Sequence, residues 1–110
     1  GIRSGTPPYR PELWARCHQA AGKVALDRGD YEKAAALFHL ALKDTTPGNA
    51  RVRAWALVRL GMICDARQDR KAAEDYYRKA LALEGAEGAA QRAAREYLET
   101  PFVPPKPSGG

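Results

Sequence analysis

One pattern occurs twice in this chain, 39 positions apart. Gly22 recurs as Gly61, Arg28 as Arg67, Asp30 as Asp69 and Ala34 as Ala73. Phe38 returns as Tyr77, Ala41 as Ala80 and Leu42 as Leu81. Self-similarity at such a period is the mark of stacked supersecondary units, none of which buries its apolar face alone. The repeated unit is helical. Ala21, Gly22, Ala25 and Leu26 fall at helical spacing, with Trp14 and His18 extending the row towards Pro11, a residue suited to a first helical position. Gly29 ends that helix and Asp30 caps the next, over 31–43, which places Tyr31, Ala34, Phe38, Ala41 and Leu42 on one side. A turn this short makes the two helices antiparallel.

The second copy follows a breaker cluster, Thr46-Pro47-Gly48-Asn49, in which Thr46 and Pro47 read as a cap and first helical residue. Its first helix, 48–67, buries Leu57, Leu60, Gly61 and Cys64 by the same spacing. Asp69 caps a further helix over 70–83, with Ala73, Tyr76, Tyr77, Ala80 and Leu81 on its apolar side. A fifth helix, 88–99, carries Ala90, Ala93, Ala94, Tyr97 and Leu98, and Thr100-Pro101 stops it. Period-two alternation never lasts four residues, so no strand is expected.

With 110 residues the chain has room for a single small domain. The expected division is a flexible segment at 1–11, a helical domain at 12–99 (hairpins 12–43 and 48–83, capping helix 88–99) and a Pro/Gly-rich tail at 100–110. No apolar run approaches the ~20 residues that cross a bilayer, and no signal segment opens the chain, so the cytoplasm is the expected compartment. The net charge of +5, with twelve arginines and six lysines, permits an anionic partner without implying one. Blocks of basic residues are absent. Nucleic acid is therefore not indicated, and membrane binding is not expected.

At its paired glycines and aromatics the chain resembles the tetratricopeptide repeat family. That pattern wants a Leu-Gly or Ala-Gly in the first helix, here Ala21-Gly22 and Leu60-Gly61. In the second it wants a small residue, an aromatic and a small residue, here Ala34, Phe38, Ala41 and Ala73, Tyr77, Ala80. Glycine and alanine let helix backbones touch, and the aromatic fills the wedge between hairpins. The resemblance covers residues 15–98. It implies an all-α fold, a right-handed superhelical stack of antiparallel hairpins with about five helices, acting as a protein-interaction module. The family period is about 34 residues. The longer one here fits an extra turn in the third helix plus a loop residue. Only two units are present. The fifth helix serves as the cap, with Gln91, Arg92, Arg95, Glu96 and Glu99 as its polar outer face.

Catalysis finds no support. Cys17, His18, His39 and Cys64 are the candidate nucleophiles or soft ligands. Cys17 and His18 diverge by about 100° as helix neighbours, and no phosphate loop, metalloprotease motif or nucleophile elbow occurs. The two cysteines read as buried thiols. No metal and no cofactor is expected.

In the family the first helix of each unit lines a concave groove, and the resemblance implies a binding stripe there. It comprises Arg16, Gln19, Ala20 and Lys23 in the first unit, and Arg51, Trp55, Val58, Arg59 and Met62 in the second. Trp55, Val58 and Met62 lie away from Leu57, Leu60 and Cys64, where a solvent-facing helix carries polar residues. Flanked by arginines, they suit a peptide groove or a subunit contact. Burial under the fifth helix or the tail, a protein or peptide partner of acidic character, and homo-oligomer contact remain open for this stripe. Clamping of a C-terminal carboxylate, used by one subgroup, is not expected: only Lys23 and Arg59 suit it and no groove Asn is present. The tail Pro101-Phe102-Val103-Pro104-Pro105-Lys106-Pro107 has the spacing of a polyproline ligand, and more simply reads as a stop and linker. If ordered, it is expected to lie on the Trp55 stripe of the same or a neighbouring molecule.

Overall fold

A computed structural model of the chain describes residues 11–105. It contains α1 (Pro11–Asp27), α2 (Tyr31–Leu42), a 3-10 turn (Pro47–Asn49), α3 (Ala50–Ala66), α4 (Arg70–Ala82) and α5 (Ala89–Glu99). There is no strand among the described residues. Residues 1–10, and Lys106 and Pro107 of the proline tail, lie outside them.

Each hairpin closes by the same chemistry. At the first turn the Gly29 N–H donates to Leu26 and the Asp30 N–H to Ala25, both at 2.9 Å, and Gly29 sits at φ 80°. Asp30 then caps α2, its carboxylate accepting from the Lys33 N–H at 3.2 Å. The second turn repeats this with Gln68 and Asp69, and Asp69 accepts from the Ala72 N–H at 3.3 Å. Here Gln68 takes the left-handed conformation at φ 63°, a strain that glycine does not carry.

Within each hairpin the glycine of the first helix faces the aromatic of the second. A Cβ placed on Gly22 would come within 2.7 Å of the Phe38 ring, and one on Gly61 within 2.5 Å of Tyr77. Close approach of the backbones is thus what buries both rings completely. Burial of an aromatic this size contributes about 1.5–3 kcal/mol. The core runs as two clusters. One is built on Phe38 with Leu26, Leu60 and Ile63, the other on Tyr77 with Val58, Ala90 and Ala94. α3 joins them: α1 and α2 pack on one side of it, and α4 and α5 on the other.

The loop between the units is held by Asp44, which is buried. Its carboxylate accepts from the Thr46 N–H (3.0 Å), the Thr46 hydroxyl (2.5 Å) and the Asn49 amide (2.6 Å). Arg53 donates to the Asp44 and Thr46 carbonyls at 3.0 and 2.9 Å. These bonds, those of Thr46 first, hold the Asp44 carboxyl below its ordinary value. Gly48 and Asn49, expected to begin the third helix, belong to the 3-10 turn Pro47–Asn49, and α3 starts at Ala50.

Several expected core positions are not core. Ala21 and Cys17 are exposed, and Trp14 is 54% exposed, stacked on His18 with ring centroids 5.7 Å apart. These residues turn away from α3, where no helix of the described residues covers them. Gln91, expected on the outer face of α5, is buried. Its amide donates to the carbonyls of Ala80, Leu81 and Leu83, satisfying the open end of α4.

Candidate functional site

Trp55, Arg59 and Met62 recur at i, i+4 and i+7 along α3 and share a stripe, each half-buried. Val58 does not join them. It is fully buried in the cluster with Tyr77, Ala90 and Ala94, because α5 packs over it, one of the outcomes left open for the stripe. Arg51 is exposed and, with Trp55, lines a cavity of about 270 Å3 bordered by residues 86–88 and the first residues of α5. On α1, Arg16 and Lys23 are exposed and Gln19 is half-buried. Lys23 makes an ion pair with Asp27 at 3.0 Å, so its charge is largely compensated on its own helix.

Arg59 is the centre of this face. Its guanidinium carbon lies 4.6 Å from the Trp55 ring centroid, a cation–π distance, and an N–H donates to the Gln19 amide oxygen of α1. Burial pushes its pKa below the ordinary arginine value, against the opposing influence of Asp27. Among the described residues it has no ion pair with a carboxylate. A planar, partly desolvated fork with donors to spare fits a carboxylate in two-point contact.

The tetratricopeptide repeat family model matches residues 14–83. This chain belongs to the tetratricopeptide repeat family. No curated protein and no solved structure matches it. The match covers α1–α4, a stack of antiparallel helical hairpins, and stops before α5. Repeats of this family generally mediate protein–protein interaction and are typically non-catalytic. No helix of the described residues is long and apolar enough to cross a membrane. No metal-holding group of His, Cys, Asp and Glu occurs among them. Cys64 is half-buried, and burial raises its thiol pKa.

Several arginines of this tetratricopeptide protein are engaged within the chain. Arg70 is committed to Asp65 and Glu74, and Arg78 lies near Glu74 and Asp75. Arg67 sits 6.0 Å from the Tyr31 ring.

One cluster escaped the reading of the sequence. The Asp65 side chain is only 2% exposed. It accepts from Arg70 Nη1 at 3.0 and 3.2 Å, from the Tyr77 hydroxyl at 2.7 Å and from the Phe102 N–H at 3.0 Å. Arg70 Nη2 donates to the carbonyls of Tyr97 (2.6 Å) and Leu98 (2.7 Å), binding the end of α5. Burial, then the bond to Asp65, pushes the Tyr77 hydroxyl well above the usual tyrosine pKa. The signal was present: 39 positions back, Asp65, Arg70 and Tyr77 are Leu26, Tyr31 and Phe38.

Proposed function

We propose that the chain is a non-catalytic module that binds an extended or helical segment of a partner protein across the first-helix face. Trp55 and Met62 supply apolar contact, and Arg59 receives a carboxylate. Arg51 and Arg16 add positive charge at the rim, Gln19 orients the Arg59 fork, and Lys23 contributes less because Asp27 holds it. The observation that carries this reading is Arg59: half-buried, laid on Trp55 and bonded to a neutral amide. A guanidinium desolvated this far gains most from an incoming anion.

The experiment uses a panel of short peptides, each carrying one carboxylate or its amide counterpart. Wild-type protein is expected to prefer the carboxylates, and Arg59→Gln to lose that preference. Trp55→Ala is expected to weaken binding about tenfold with helical content unchanged. Loss of folding in Trp55→Ala would mark Trp55 as core and defeat the reading.

A second reading, self-assembly, is favoured by one observation. Leu13, Trp14, Val24 and Leu40 are 41–54% exposed on the first hairpin, and Trp14 and Leu40 line one groove of about 380 Å3. Light scattering across concentration separates the two: a strict monomer removes the second. The engagement of Arg70 and Arg78 with Asp65, Glu74 and Asp75 argues against a nucleic-acid partner.

A further inference from the structure

The tail is built like a ligand. Thr100 leaves α5 in an extended conformation, and the exposure of residues 101–105 alternates: Phe102 and Pro104 are half-buried, Pro101, Val103 and Pro105 exposed. That alternation is how an extended strand seats every second side chain in a surface. Phe102 packs edge-on against Tyr97, ring centroids 5.7 Å apart. Its N–H is taken by buried Asp65 at 3.0 Å. Pro104 and Pro105 bring no N–H to satisfy, and with Phe102 they line a groove of about 590 Å3 whose apolar walls are Leu26, Tyr31 and Met62. The tail therefore crosses between the repeats: the polar Asp65 of the second unit holds its backbone, and Leu26 and Tyr31, of the matching triad in the first, border its prolines.

We infer that the Met62 end of the first-helix face is a recognition site for an extended aromatic–x–proline–proline segment, and that the chain's own Phe102–Pro105 is its resident ligand. A partner segment of that chemistry binds by displacing the tail. The inference rests on the proposed binding face, to which Met62 belongs. Specificity follows from the parts: a ring against Tyr97, one backbone N–H for the Asp65 carboxylate, and pre-extended prolines that lose little entropy on binding. The short tether presents the tail at an effective concentration on the order of millimolar, so a free segment competes at a disadvantage until the tail is weakened.

The test uses the full chain, as wild type and as Phe102→Ala/Pro104→Ala, both changes lying outside the helices. The probe is a fluorescein-labelled peptide of residues Thr100–Pro105, with a scrambled control, followed by anisotropy. The double variant is expected to bind the probe about tenfold more tightly than wild type, with the scrambled peptide inert. Met62→Glu in the double variant is expected to abolish binding. In wild type alone, the Phe102 amide is expected to exchange slowly, and faster when probe saturates the protein. Equal affinity of wild type and variant, no binding by the variant, an unprotected Phe102 amide, or a dimer that dissolves on mutating the tail would each overturn the inference. Failure of the wider binding face is distinguishable: carboxylate preference then ignores Arg59→Gln while probe competition persists.

Discussion

The two repeats share a backbone plan and differ at one triad. In the first, Leu26, Tyr31 and Phe38 belong to one apolar cluster, Leu26 and Phe38 buried and Tyr31 partly so. In the second the same positions are Asp65, Arg70 and Tyr77, joined by bonds of 2.7–3.2 Å that extend to α5 and the tail. The apolar version can only pack, and it needs nothing beyond its own hairpin and its neighbour. The polar version has donors left over, and it directs them to the carbonyls of Tyr97 and Leu98. One substitution set thus turns a repeat that ends in packing into one that positions the next helix and the tail.

The largest effect should come from mixing the two versions. Asp65→Leu leaves the Tyr77 hydroxyl and the Arg70 guanidinium without their partner and is expected to cost about 3 kcal/mol in urea unfolding. Installing the whole first-repeat triad, Asp65→Leu with Arg70→Tyr and Tyr77→Phe, is expected to recover all but about 1 kcal/mol. The Phe102 amide should nevertheless lose its protection from exchange. Recovery of that protection would break the comparison, since it would mean that the tail is held without Asp65.

The glycines sharpen it. Gly61→Ala pushes against a ring pinned at its hydroxyl, whereas Gly22→Ala pushes against Phe38, which has no such anchor. Overpacking should cost about 2 kcal/mol at Gly61 and about 1 kcal/mol at Gly22, measured by thermal unfolding. Equal costs would show that the Tyr77 anchor does not stiffen its ring. The turns give a smaller difference of opposite sign. Gln68→Gly copies Gly29 into the second turn and should gain up to about 1 kcal/mol by removing left-handed strain.

The weakest effect concerns the loop between the repeats. Asp44 titrates below its ordinary value of 3.8 when folded, so its contribution is complete above that value and lost as pH falls through the lower, folded one. Wild-type melting temperature should therefore drop in acid more steeply than that of Asp44→Asn. Parallel curves would show that the Asp44 bonds do not hold the loop.

How much is legible in the sequence depends on whether a signal is repeated. Gly22, Phe38 and Asp30, each with a copy, yield the hairpins, the caps and the stacking directly. Val58, Gln91 and Cys17 are misplaced because helical spacing gives a face but not which neighbour covers it. α5 comes over Val58, while Cys17 is exposed. Asp65 is hidden for a different reason: a search for matches overlooks the informative mismatch. Arg59 is legible from its position, but its seat on Trp55 and its bond to Gln19 depend on how α1 and α3 pack.

The copies also differ along their first helices, where the proposed binding face lies. Trp55, Arg59 and Met62 stand where the first repeat has Arg16, Ala20 and Lys23. The most direct measurement is the affinity of Trp55→Ala and Arg59→Gln for the preferred carboxylate peptide, with circular dichroism on the same samples. The account predicts about a tenfold loss in each with unchanged helicity. Undiminished affinity, or a loss that tracks unfolding, would contradict it.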